Sequence, residues 1–582
     1  MFKLFRYINK KEWLYFLLSL VFIVSQVWLD LKLPDYMSEI TKLVETEGSA
    51  MHDIWVAGGK MLLCSFGSLI SSVIVCFFAS VISAGFSKRL RKALFDKVES
   101  FSLEEINSFS TASLITRSTN DVMQVQMLIV MGMQVVIKAP VMAVWAVTKI
   151  IGKAWQWSMA TAIAVIVLVV LLGIVMLLTY PRFKKIQWLQ DGLNQSAREN
   201  LTGIRVVRAY NAEGYQEEKF RKTNTELRDN SLFANRSLTL LSPFMTLTMN
   251  CLSMSIYWIG AILINNATVI AERVDIFANM IVFMSYALQV IMSFLMVVMV
   301  FIIAPRAFVA ATRINEVLDT EPTIVDGKSA ESASKDGEIE FKNVSFTYPG
   351  GSGAVLSDIN FTLNKGETLA IIGSTGSGKT TLVNLIPRFY DATEGEVLVD
   401  GVNVKDYTIE ALCEKLSYVS QKAVMFSGTV KSNVVYGAGA DEALMNDALR
   451  ISQSEEFVSE LEEKENSPVS QGGTNFSGGQ KQRLSIARAL SKHPEIIIFD
   501  DTFSALDFKT DRQLREALRT ELSGVTKIIV AQRIGTIMGA DKIIVLDEGR
   551  QVGMGTHKEL LSDCEVYKQI ALSQLSEEEL AL

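Results

Sequence analysis

The sequence predicts a membrane α-helical fold, six transmembrane helices with long cytoplasmic extensions, followed by a soluble α/β domain built around a P-loop. Three observations lead there. Uncharged apolar runs long enough to cross a bilayer fill residues 1–318. Residues 338–582 instead alternate short apolar strands with charged helical stretches. One of those strands, ETLAIIG, opens directly onto GSTGSGKT and a helix. Between the two parts, a linker is read at residues 319–337, around the stretch TEPTIVDGKSAESASKDGE with its Pro, Ser, Gly and charge.

Composition agrees. The chain has 582 residues, 49% of them hydrophobic, and a mean hydropathy of +0.27. A net charge of −7 argues against a nucleic-acid footprint. The five cysteines stand singly with no CxxC, as free thiols do in a reducing compartment or in lipid. No small-residue cleavage site follows the first apolar stretch, so it is read as a retained span and not a signal peptide.

Roughly 20 apolar residues cross a bilayer as a helix. The candidates are residues 13–33, 54–84, 128–152, 155–180, 238–266 and 274–304. Lys3, Arg6, Lys10 and Lys11 precede the first span. Lys88, Arg89, Arg91 and Lys92 follow the second, and Arg182, Lys184 and Lys185 follow the fourth. The loop after the first span is acidic, with Asp35, Glu39, Glu45, Glu47 and Asp53. The positive-inside rule then places both termini in the cytoplasm.

Charged, helix-permissive stretches follow spans two and four, KRLRKALFDKVESFSLEEI and QSARENLTGIRVVRAYNAEGYQEEKF. They suit helices running past the bilayer to dock on a soluble domain, or ordinary loops. Lys138, beside Pro140, is read as snorkelling to the inner headgroups. Met280, Met284, Met292, Met296 and Met299 along span six suit packing or an adaptable pocket.

In the soluble part the strand–loop–helix context supports nucleotide binding. Gly373, Gly376 and Gly378, with Ser374, Thr375 and Ser377 between them, let backbone N–H groups curl around phosphate oxygens. Lys379 would reach the β- and γ-phosphates. Thr380 would bind Mg²⁺, and Thr381 continues the loop's hydroxyl-rich end. The strand EIIIFDD ends in Asp500, placed to hold the ion through its coordination shell. A third element, NFSGGQKQRLSIARAL, has Ser477 as an N-cap, bare backbone at Gly478 and Gly479, and a basic helix. A second helix N-terminus prepared for an anion is best explained by a nucleotide held on another chain.

GSTGSGKT, FSGGQ, IIIFD and SALD, in that order behind six spans, resemble an ATP-binding cassette half-transporter of the exporter type. The resemblance implies that two such chains sandwich two ATP molecules, each between one P-loop and the other chain's signature. It implies that Tyr348 in SFTYPG stacks on adenine and that Gln421 in YVSQK senses Mg²⁺. It further implies that Ser477, Gly478, Gly479 and Gln480 form the signature, and that Asp507 ends the loop SALD. Two positions depart from the family pattern. The usual Glu that polarises the attacking water is Asp501, one methylene shorter, and the switch histidine is Gln532. Glutamine donates a hydrogen bond but carries neither charge nor proton. Phe476 replaces Leu beside the signature, and Gln471 and Gly472 stand where many relatives have Glu and Arg.

The chain is thus similar to the degenerate-site subunit of a heterodimeric bacterial multidrug exporter. The resemblance implies ATP and Mg²⁺ as cofactors, a partner half-transporter carrying Glu and His, and an amphipathic small-molecule substrate. It also implies residence in the bacterial cytoplasmic membrane. A peptide or lipid exporter, or an ATP-gated channel or regulatory subunit, are the alternative expectations.

Overall fold

The protein is described by a computed structural model covering residues 2–46, 49–151, 155–328, 337–437 and 442–576. It divides into two units, one of Met1–Lys97 with Ala112–Thr320, the other of Val98–Thr111 with Glu321–Leu582. Residue 152 of the third expected span, residues 329–336 of the linker and the side chain of Met299 lie outside what is described.

The first unit is built of helices far longer than a bilayer needs. These are α1 (Lys10–Glu45) and α2 (Met51–Glu99), the latter running into the second unit's short α3 (Leu103–Phe109). They continue as α4 (Thr111–Ile151), α5 (Trp155–Thr202), α6 (Glu213–Asn266) and α7 (Ile270–Asp319). Six of them carry a window apolar enough to span a membrane. At about 1.5 Å per residue the 49 residues of α2 reach about 70 Å. The charged stretch after span two is therefore helical continuation and not loop. α4 contains two π-helical turns, Arg117–Asp121 and Gly132–Ile137.

The core of this unit gathers Trp157, Phe283, Tyr286 and Ile256. Trp157 Nε1 donates to the Ile256 carbonyl (3.2 Å), so the buried indole is satisfied. Met280 and Met284 pack into the same core, the first directly over Gly260. Met292 and Met296 are exposed.

Lys138 requires a correction. It lies inside α4, well short of either end, and pairs with Asp30 of α1 at 3.3 Å. Asp30 also accepts from the Ser68 hydroxyl of α2. A half-buried ammonium this far inside a span is stabilised most by a nearby carboxylate, and pairing prevails over snorkelling here. Lys149 likewise meets Asp35 (2.8 Å), which also accepts from Tyr286 (2.6 Å).

The second unit is organised on a ten-stranded sheet. Its strands in chain order are β1 (Ile339–Phe346), β2 (Leu356–Leu363), β3 (Thr368–Gly373), β4 (Glu394–Val399) and β5 (Val402–Asn403). They continue as β6 (Leu416–Val419), β7 (Ile496–Asp500), β8 (Thr526–Val530), β9 (Lys542–Asp547) and β10 (Arg550–Gly555). Spatially they run β5-β4-β1-β2-β10-β9-β3-β8-β7-β6. β3, β6, β7, β8 and β9 are parallel and buried on both faces, which is why they read as continuous runs of Ile, Val and Leu. β3 and β7 flank β8, so the loops leaving their C-terminal ends emerge side by side.

Residues 321–328 lie against this unit. Gly327 N donates to the Tyr407 carbonyl (2.9 Å) and Asp326 accepts from Ile409 N (2.6 Å). α3 belongs to the same unit. Its Ser102 and Glu105 form a capping box, Glu105 accepts from Thr323 N (3.0 Å), and Asn107 donates to the Tyr390 hydroxyl (3.2 Å).

Candidate nucleotide site

The phosphate cradle begins where β3 ends. A side chain at Gly373 would collide with the Leu546 carbonyl of the neighbouring β9, so only glycine lets the chain turn there. Gly378 adopts φ 97°, and a Cβ there would stand 2.8 Å from Leu356. Gly376 adopts φ 87°, with Ser374 and Thr375 exposed beside it. Helix α8 (Lys379–Asn384) then starts with its N–H groups facing the loop. Lys379 Nζ donates to the Gly373 (2.9 Å) and Ser374 (2.7 Å) carbonyls. Burial pulls the Lys379 pKa down, against the opposing pull of Asp501 and Asp500.

The acids sit opposite. Asp500, at the end of β7, accepts from the Thr380 hydroxyl (2.9 Å) and from the Tyr418 hydroxyl of β6 (3.0 Å). Burial raises its pKa, the Thr380 and Tyr418 hydrogen bonds lower it, and Asp501 raises it further. The shape of the loop fits ATP, because the Ser377 hydroxyl is buried and has no protein partner where phosphate oxygens would lie. The Thr380 hydroxyl and Asp500 carboxylate are hard oxygen donors of the kind Mg²⁺ takes.

Asp501 has left-handed backbone (φ 48°) and is buried. Its Oδ2 accepts from Gln421 Nε2 (3.0 Å) and from Gln532 Nε2 (2.6 Å). The three positions singled out at this end of the sequence therefore meet on a single oxygen atom. Tyr348 lies edge-on to Phe346 (4.9 Å) and Tyr390 (5.3 Å), and its hydroxyl is 3.0 Å from that of Thr381.

The signature helix α9 (Gly478–Leu490) begins with a capping box. Gln480 N donates to the Ser477 hydroxyl (3.3 Å) and Ser477 N donates to Gln480 Oε1 (2.9 Å). Ser477 and Gly478 are exposed, and among the described residues no hydrogen bond joins 477–480 to this chain's own loop 373–381. Gln482 Nε2 donates to the Ser420 carbonyl (3.3 Å), tying the helix to the strand end that carries Gln421. Phe476 is buried against Phe457, so the larger ring is accommodated in the core. Gly472 takes φ 68° and its carbonyl accepts from Lys481 (3.2 Å), a conformation an arginine would enter only with strain. Asp507 caps α10 (Phe508–Glu521) through Thr510 N (3.0 Å), and that hydrogen bond holds its carboxyl below the usual range.

One contributor, Tyr418, escaped sequence reasoning. Tyr418 joins Asp500 to Asn384 Oδ1 (3.0 Å each), bracing the acid from the strand beside it. The only available signal was a tyrosine three residues before Gln421 on the short strand LSYV.

A six-helix membrane region joined to a P-loop sheet with a separate capped signature helix defines the class of ATP-binding cassette exporters. The comparisons agree. The description "ABC transporter transmembrane region" matches residues 16–294 and "ABC transporter" matches residues 356–504. An uncharacterized ABC transporter ATP-binding protein of Mycobacterium bovis is 40% identical over 89% of this chain and 87% of its own length. YfiB of Bacillus subtilis, another uncharacterized ABC transporter ATP-binding protein, is 33% identical over 96% of both chains. The ATP-dependent lipid A-core flippase of Pseudomonas fluorescens is 32% identical over 85% of this chain and 81% of its own. A bacterial Atm1-family ABC exporter solved with ATP bound shares the fold, with a TM-score of 0.77 over 97% of this chain and 98% of its own at 23% identity. The chain belongs to the ABC transporter family, as an exporter half-transporter.

Proposed function

We propose that this chain is one half of a heterodimeric ATP-driven exporter of amphipathic small molecules, and that its own P-loop site holds ATP while hydrolysing it slowly. The observation that carries the reading is the double clamp on Asp501. A carboxylate that activates water needs a free lone pair aimed at that water. Here one oxygen already accepts from Gln421 and Gln532, and the side chain is a methylene short. Lys379 and the loop N–H groups bind the triphosphate, Thr380 and Asp500 hold Mg²⁺, and Tyr348 receives the adenine. The ion that Thr380 and Asp500 would hold would supply charge neutralisation for the triphosphate.

The exposed signature, Ser477 to Gln480, would complete the site on a partner carrying Glu and His. Gln480 would release its capping bond and turn its Nε2 to donate to nucleotide oxygens. α3 and its contacts at Thr323 and Tyr390 support a mechanical link from cassette to spans. The positive-inside pattern supports residence in a bacterial plasma membrane with the cassette in the cytoplasm.

A lipid exporter is the second reading, favoured by the 32% identity to a protein named as a lipid A-core flippase. The test of the first reading is ATPase activity of the chain purified with the partner it associates with. Replacing the partner's catalytic Glu by Gln should abolish turnover, whereas Asp501→Gln here should leave most of it. Full turnover after the partner's change would refute the division of labour.

A further inference from the structure

The cassette holds a donor-lined cavity at the opposite end of β3 from the phosphate loop. It measures 260 Å³ and lies between α10, the starts of β3 and β8, and residues 536–540. Thr368 opens β3 at this cavity, and Gly373 closes the strand at the P-loop. At about 3.3 Å per residue the two ends stand roughly 17 Å apart, so the cavity is separate from the nucleotide site.

Its lining is rich in donors that the protein leaves unspent. Thr536 is 8% exposed, yet its hydroxyl makes no hydrogen bond among the described residues, and neither does that of Thr368. Arg512 and Arg519, seven apart and so on one face of α10, are exposed and form no ion pair among the described residues. Lys527, at the start of β8, is only 5% exposed. It donates to the carbonyls of Leu522 (2.8 Å) and Val525 (2.9 Å), which leaves a third N–H. Among the described residues no carboxylate pairs with it, and burial pulls its pKa down against the opposing pull of Asp541. The acids here are mostly engaged elsewhere. Asp541 accepts from Thr368 N (2.8 Å), and Asp511 is held by Arg515 through two hydrogen bonds of 3.1 Å. Glu516 alone lines the cavity without an ion pair among the described residues. Guanidinium forks and hydroxyls around a buried ammonium are the donor set a phosphate group takes. A cation would meet like charge, and an apolar ligand would strand every one of these donors.

We propose that this cavity binds a phosphate group, free or carried by a small organic molecule, between Arg512, Arg519, Lys527 and the hydroxyls of Thr368 and Thr536. Leu518 and Ile529 complete the wall and give an organic phosphate an apolar surface to rest on. The site is formed by this chain's cassette alone and is independent of which ATP site hydrolyses.

The test uses the full chain, purified with the partner it associates with and saturated with Mg²⁺ and a non-hydrolysable ATP analogue. The P-loops are then occupied and cannot take the probe. Calorimetric titration at constant ionic strength, with inorganic phosphate and separately with glycerol 3-phosphate, reads the binding. Saturable binding of either anion is the expected result, and the ratio of the two affinities tells whether the group arrives free or on an organic molecule. Arg512→Gln and Arg519→Gln, both on the surface, should each weaken that binding about tenfold, and Thr536→Val about threefold. Lys527→Met should abolish it. Should that variant fail to fold, the two arginine variants still decide the question. Absence of saturable binding by both anions, or binding indifferent to both arginine changes, would overturn the proposal.

Discussion

The two units spend their polar groups on different tasks, although each leaves some buried polar atoms unmatched, Gln289 Oε1 and Asn315 Oδ1 in the first and Ser377 Oγ in the second. In the membrane unit many hydroxyls are spent within their own helix. Thr161, Thr179, Ser255 and Ser293 each donate to the carbonyl four residues earlier. Its half-buried charges pair across helices, Lys138 with Asp30 and Lys149 with Asp35. In the cassette the Ser377 hydroxyl is left without a protein partner, and two carboxylates, Asp500 and Asp501, stand side by side near one ammonium. Lipid offers no compensation for an unmet polar group, so a spanning helix must satisfy itself. A site that binds a polyanion and a cation must instead keep donors and acceptors unspent.

Breaking a pair in the first unit should therefore cost more than breaking a contact in the second. Lys138→Met leaves Asp30 without its cation and should lower stability by about 3 kcal/mol. Asp30→Asn combined with Lys138→Met should recover much of that loss, as read from unfolding of the full chain in detergent. Recovery would show that the lysine serves as a counter-charge and no more.

The next largest effect tests whether the cassette's acid is restrained by length and by its two amides. Asp501→Glu with Gln532→His should raise hydrolysis at this chain's site by about a hundredfold, measured with the partner's catalytic Glu replaced. Asp501→Glu alone should gain less. If neither variant changes turnover, the clamp on Asp501 is not what limits the site.

Smaller effects follow from the unspent groups. Lys379→Ala removes a charge-assisted contact and should weaken ATP binding by about 2 kcal/mol, roughly thirtyfold, in equilibrium nucleotide titration. Asp500→Asn separates fold from ligand. Burial and neighbouring Asp501 raise the Asp500 pKa, so its charge is unfavourable in the folded chain. Removing the charge should leave the nucleotide-free thermal midpoint unchanged or slightly higher, while abolishing the extra stabilisation by Mg²⁺ with ATP. Ser477→Ala should cost about 1 kcal/mol of local helix stability through the lost cap, seen as faster amide exchange at Gln480 and Lys481.

Much of this was legible in the sequence because it depends on local pattern. Twenty-residue apolar runs identify spans whatever surrounds them, and glycine spacing fixes a phosphate loop because backbone geometry allows few alternatives. The departures at Asp501 and Gln532 were likewise visible as residue types. Lys138 was misjudged for the complementary reason. Its partner Asp30 is 108 positions away, and hydropathy along one helix says nothing of which helix faces it.

The sequence by itself therefore determined the order of parts, six spans and then a cassette, and the inventory of the nucleotide loop. Only the tertiary structure decided that Gln421 and Gln532 converge on one oxygen of Asp501, that Tyr418 braces Asp500, and that Lys138 meets Asp30. Local signals follow from the chain's own geometry, whereas convergence of distant side chains exists only once the sheet and the helices have packed.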